Sequence, residues 1–162
     1  MAFRDFLGNE WDVDCLGCDI ISGKITVPGG LIYQGKNFSL HQDPLIPLPG
    51  FLVIPSHRHI ASLVDMSADE GLELGELIHQ ARVVIQDVLG LANVTIVQEE
   101  RSNHFHLWFF PWTEDVVEQY GPPSLNKIRP IMNDYIAKEI SDARWAELND
   151  GIRQLRQALN AT

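Results

Sequence analysis

The segment RSNHFHLWFFPW, Arg101 to Trp112, decides the fold. In an extended chain, side chains alternate between two faces. Phe105, Leu107 and Phe109 then share one face, and with no polar atom among them that face belongs to a core. His104, His106, Trp108 and Phe110 share the other, so two imidazoles stand side by side on one strand. Imidazole titrates near neutral pH and is a good nucleophile toward phosphorus. One ring of such a pair can attack while the other positions it or balances charge. Charge that grows on phosphate oxygens needs donors close by, and Arg101, Ser102 and Asn103 directly precede the strand. A His-x-His pair on a strand also fits a structural role or half of a metal site.

Outward from this strand, NVTIVQE is β-branched and strand-like. The short linker Glu100–Asn103 predicts that the two strands pair as an antiparallel hairpin. Before them the spacing predicts a long helix. It begins at Ser67, whose Ser-x-x-Glu with Glu70 is a capping box, and it ends at Gly90. Leu74, Leu77, Ile78, Ala81, Val84, Ile85 and Val88 form its apolar stripe. FLVIP reads as a short buried strand ended by Pro55, and the prolines of PLIPLPG make the preceding segment a loop. GGLIYQGKNFSLHQD reads as two strands around Gly35-Lys36-Asn37, and CLGCDIISG as a short helix stopped at Gly23. Residues 1–13 read as an irregular arm. Beyond Pro111 the character changes. GPPS breaks the chain, and two helical stripes follow, one with Ile131, Met132, Tyr135 and Ile136, the other with Trp145, Leu148, Ile152, Leu155 and Leu159.

The chain has 162 residues, 45% of them hydrophobic, enough for one domain with an appendage. The expected division is a domain over 1–112, arm included, and a helical extension over 113–162 packed on the domain or on a dimer partner. No apolar run approaches the ~20 residues of a membrane helix, and nothing at the N-terminus resembles a signal peptide, so a cytoplasmic protein is expected. The net charge of −10 repels nucleic acid and anionic membranes. It excludes broad polynucleotide binding but leaves room for a small nucleotide. Cys15 and Cys18 are half of a zinc site, a redox pair, or two reduced thiols. A redox pair usually opens a helix after a strand, which is not evident here, and zinc would need two further ligands. His79 reads as a solvated helix residue and His57 as a turn residue beside Arg58.

With these residues in place, the sequence resembles the histidine triad family of nucleotide hydrolases and transferases. The family's His-φ-His-φ-His-φ-φ, with φ apolar, is matched by His104-Phe105-His106-Leu107-Trp108-Phe109-Phe110. CLGCDIISGKI is similar to the family's usual opening, and FLVIPSHRHIASL to its Leu-Val-Ile-Pro strand and following histidine. The resemblance covers roughly Asp14 to Trp112. It implies an α+β fold, an antiparallel sheet flanked by helices, here with extra C-terminal helices, and a homodimer. It also implies covalent catalysis without a required metal, on dinucleoside polyphosphates or nucleoside phosphoramidates. His106 would attack the α-phosphorus and His104 would support it. Gln42, with His41 and Asp43 beside it, would contact the ribose. Gln98, Arg101 and Ser102 would hold phosphate, and His59 would lie near the site. Three departures stand out. Trp108 replaces the third histidine and offers one N–H but no exchangeable proton. Glu99 and Glu100 stand in the phosphate loop. Gly50 occupies the position where zinc-binding members often have a histidine, which argues against zinc at Cys15 and Cys18. The alternatives to an enzyme are a nucleotide-binding protein without turnover and a zinc-stabilised structural or interaction protein built on Cys15 and Cys18, with His41 or His104 as a nearby ligand.

Overall fold

The structure is a computed structural model and describes residues 1–136 and 138–161. Residues 1–13 are not irregular. Strands β1 (Ala2–Arg4) and β2 (Glu10–Asp12) pair antiparallel, with Phe3 opposite Trp11. Their turn is organised by Asp5, whose Oδ1 accepts the backbone N–H groups of Leu7 and Asn9 and whose Oδ2 accepts the Asn9 side chain. Helix α1 (Leu16–Ile21) follows, and Gly23 ends it at a φ of 79°.

The main sheet comprises β3 (Leu31–Gln34), β4 (Ser39–Gln42), β5 (Leu52–Pro55), β6 (Val94–Gln98) and β7 (His106–Pro111). Its order is β3-β4-β5-β7-β6, antiparallel throughout. The expected hairpin of β6 and β7 forms, with Val97 opposite Trp108 and Gln98 opposite Leu107. The chain thus has the expected α+β architecture. Helix α2 (Ala68–Leu89) crosses one face. Ser67 accepts the Glu70 N–H at its start, and Gly90 closes it in the left-handed conformation. Between β5 and α2, Arg58 pairs with the buried Glu70.

Both faces of the sheet are covered. On one side Leu107, Phe109, Leu52 and Ile54 pack with Leu74, Leu77, Ala81 and Ile85 of α2. Helix α5 (Asp142–Asn160) enters this same core through Leu148, Ile152, Leu155 and Leu159, so its apolar stripe is spent within its own chain. Arg156 donates to the carbonyls of Leu31 and Gly29, and Asn160 to that of Ile32. On the other side Phe51, Phe110 and Trp112 form a second core with α3 (Glu114–Tyr120) and α4 (Leu125–Ile136) through Val116, Ile128, Ile131 and Tyr135. Phe110 therefore does not share an open face with His106, because α3 and α4 bury it. Helix α3 was not legible as a stripe: it has only seven residues, capped by Thr113.

Candidate active site and adjacent metal-ligand cluster

Where α3 and α4 stop short of covering the sheet, a cleft of about 320 Å³ remains. Its floor is Val53 and Pro55 of β5, His41 of β4, and His106 and Trp108 of β7. Leu16, Gly17 and Ile20 of α1 form one wall. Pro44, Leu45 and Phe51, with Arg129 and Met132 of α4, form the other. Glu99 and Asn103, from the segment joining β6 to β7, stand at its edge. The volume lies near the low end of the roughly 300–1,000 Å³ usual for small-molecule sites.

His106 is half-buried here. Its Nδ1 lies 2.8 Å from the His104 carbonyl oxygen, which can only accept, so Nδ1 carries the proton. In the neutral ring Nε2 is then the bare nitrogen, in the tautomer a nucleophile needs. His41 and Asp43 both line the cleft near it. His41 is buried, donates from Nδ1 to the Gln42 carbonyl at 2.8 Å, and is pushed down to about 4 by burial. Burial pushes Asp43 up to about 6, against two backbone N–H bonds from Leu45 and Ile46 that favour its charged form. Trp108 stacks on Phe51 with ring centroids 5.2 Å apart and planes 22° apart.

The His104 carbonyl meets His106, while the His104 ring turns toward the cysteines. Its Nε2 lies 2.7 Å from the Ser56 carbonyl oxygen, so Nε2 is protonated and Nδ1 is bare. That Nδ1 faces Cys15 Sγ at 3.4 Å, Cys18 Sγ at 3.5 Å and His59 Nδ1 at 3.3 Å. His59 Nδ1 in turn lies 3.4 and 3.2 Å from the two sulfurs. All four ligand atoms fall within 4.8 Å of one another. Tetrahedral zinc bonds of about 2.3 Å to sulfur and about 2.0 Å to nitrogen imply edges of about 3.5 Å for S···N and about 3.3 Å for N···N. The donor set fits. Burial also holds His104 toward its neutral, ligating form, and pushes the Cys18 thiol up to about 11, with Cys15 adding to the shift. Two thiolates this close need a cation between them. Gly17 makes the packing possible, since a Cβ there would lie 2.5 Å from the His104 ring.

The argument from Gly50 against zinc is thereby corrected. Gly50 packs against Leu91, and a Cβ would sit 2.5 Å from that side chain. His59 and His104 stand where two further ligands would be needed. Four other expected contacts stand outside the cleft. Gln42 is fully buried, and its amide donates to the carbonyls of Ile46 and Leu48 on the far side of β4. Gln98 donates to the neighbouring Glu99 carbonyl. Arg101 is exposed, at a φ of 60°, with its N–H on the Ala61 carbonyl. Ser102 donates to the His104 carbonyl at 3.0 Å, beside the His106 bond. His57 shares a 2.8 Å hydrogen bond with Ser39, and His79 is exposed. Arg129 and Met132 were missed as cleft residues, because nothing in the α4 sequence says which element its flank meets.

Solved structures share this architecture. A zinc-bound histidine triad family protein from Mycobacterium smegmatis superposes with a TM-score of 0.62 at 17% identity, over 91% of this chain and 94% of that one. A hypothetical histidine triad nucleotide-binding protein from Sulfolobus tokodaii gives 0.63 at 18%, over 91% and 93%. A Hit-like protein involved in cell-cycle regulation from Bartonella henselae gives 0.63 at 12%, over 91% and 98%. No protein-family model matches the chain, and no curated protein does. The chain has the histidine triad fold. The superpositions extend beyond Trp112, so the C-terminal helices belong to the part of the fold that is shared.

Proposed function

We propose that the chain is a nucleotide hydrolase or nucleotidyltransferase acting at the α-phosphorus of dinucleoside polyphosphates or nucleoside phosphoramidates. One observation carries this reading: the His104 carbonyl accepts a hydrogen bond from His106 Nδ1–H, which leaves Nε2 bare in a cleft of ligand size. The Nε2 lone pair forms an N–P bond, and the bond from phosphorus to the leaving group breaks with its electron pair on the leaving atom. Water or another acceptor then attacks phosphorus and loses a proton to bulk solvent, while the N–P electron pair returns to Nε2. In this reading Asp43 and His41, which line the cleft, meet the ribose, and Leu16 and Ile20 pack on the base. Trp108 has no proton to give a departing amine. Ser102 and the His104 carbonyl fix the ring of His106 through the backbone.

Cys15, Cys18, His59 and His104 would hold zinc. Four protein ligands leave no open position, so the ion would supply structural stability by tying α1 to the loop after β5 and the start of β7. The reading includes a homodimer and a cytoplasmic location. Among the described residues no helix is long and apolar enough to cross a membrane.

The test is product release from diadenosine polyphosphates and from adenosine phosphoramidate, with wild type beside His106→Ala, with and without chelator. Turnover in wild type that falls by about a thousandfold or more in His106→Ala is the expected result. A mass increment of one nucleotidyl group on His106 should accompany it. The second reading, a nucleotide binder without turnover, is favoured by Trp108. Calorimetry that finds nucleotide binding with no product from any donor would establish it.

A further inference from the structure

The cleft needs a cation that the expected phosphate loop does not supply. Arg101 stands outside it. Among the described residues that line the cleft, Arg129 of α4 is the only arginine or lysine. Its Nη2 lies 3.6 Å from Glu99 Oε1, and both side chains are about two-thirds exposed, at 65% and 68%. An ion pair so open to water is weak, and salt and competing anions displace it readily. A phosphate entering the cleft is a better partner for a guanidinium, because two parallel N–H···O bonds can form.

The position of this pair has a chemical meaning. Ile128 and Ile131 fix α4 in the second core, while Arg129 and Met132 present its flank to the cleft. Met132 also packs against the core that holds Trp108, on the side of the cleft away from Leu16 and Ile20. A nucleoside against α1 therefore directs the rest of the molecule toward Trp108 and Arg129. Trp108 cannot protonate what leaves, so the site suits a leaving group that departs as an anion. A phosphate does so: the bridging oxygen keeps the electron pair of the broken P–O bond and needs no proton near neutral pH.

We propose that Arg129 binds the phosphates beyond the α-phosphate, and that Glu99 holds it until substrate displaces the pair. This rests on the nucleotide reading above and narrows it toward phosphoanhydrides. Calorimetry with the mono- and triphosphates of the four common ribonucleosides tests it, with no need for turnover. Wild type is expected to prefer at least one triphosphate to its monophosphate by about tenfold or more. Arg129→Ala should bring that ratio close to one while monophosphate binding persists. Arg129→Lys should keep part of the preference, and Glu99→Gln should increase it. Equal ratios in wild type and Arg129→Ala overturn the assignment of Arg129 and leave the nucleotide reading intact. Absence of binding by any nucleotide to wild type overturns the nucleotide reading, and this assignment with it. Circular dichroism of each variant separates lost contacts from lost fold.

Discussion

His41 and Asp43 sit in one cleft with opposite titration behaviour. Asp43 is raised to about 6 by burial, so the folded chain holds its proton more tightly than the unfolded chain does. Stability from this group rises as the pH falls from about 6 toward about 4. His41 is lowered to about 4, so the folded chain resists its protonation, and stability is lost as the pH falls from about 6.5 to about 4. Each effect is of the order of 3 kcal/mol, and the two offset each other over the same window. Asp43→Asn should therefore uncover a fall of about 3 kcal/mol between pH 6.5 and 4, read by urea denaturation at each pH. His41→Asn should show the opposite slope, and flat profiles in both variants would contradict the burial account. Trp108→His restores a proton donor at the cost of the Phe51 stack. It should lose about 1–3 kcal/mol of stability. It should also raise phosphoramidate turnover relative to anhydride turnover, because only the amine must leave protonated. Strand alternation placed His106 on the face opposite Phe105, Leu107 and Phe109, while its part as nucleophile came only from the resemblance. His104 was one of two histidines the sequence offered beside the cysteines, and the choice between them was not legible, because the Ser56 carbonyl turns the His104 ring and sequence carries no record of that contact.

Among the elements, α2 was readable to the residue, because a capping serine and a left-handed glycine mark its ends chemically. The β1–β2 hairpin escaped notice, since strands of three residues show no period and the turn rests on one buried aspartate. The stripe of α5 announced burial without saying against what. Helix α1 carries the most specific prediction at this scale. Gly17→Ala places a methyl group against the His104 ring and must push α1 away from it. Zinc content of the purified protein, read by mass spectrometry, should fall well below that of wild type, and the melting temperature should drop with it. An unchanged zinc content would mean that α1 shifts without cost and that the contact is loose.

At the scale of the whole chain, the Cys2His2 cluster joins segments far apart in sequence, Cys15 and Cys18 with His59 and His104. Closing such long loops costs chain entropy that a bound ion offsets. Chelator should therefore lower the thermal midpoint, measured by calorimetry, and His59→Ala should lower it further while making it insensitive to chelator. A chelator-insensitive wild type would show that the four groups fold together without an ion. Helix α5 is the other long-range tie. Deleting residues 142–162 removes Leu148, Ile152, Leu155 and Leu159 from the core beside α2 and β3, and the expected result is loss of cooperative unfolding.

The way α5 ends has a consequence for assembly. Arg156 and Asn160 occupy carbonyls of Gly29, Leu31 and Ile32 at the β3 border of the sheet. Among the described residues the opposite border, β6, has no strand beyond it, and Ile96 is exposed there. A sheet with one sealed border and one bare one is a building block with a single sticky side. Two copies paired edge to edge across β6 would use up both sticky sides, and growth would stop. Sedimentation should find a population of pairs that Ile96→Lys disperses, and no ladder of larger species at any concentration.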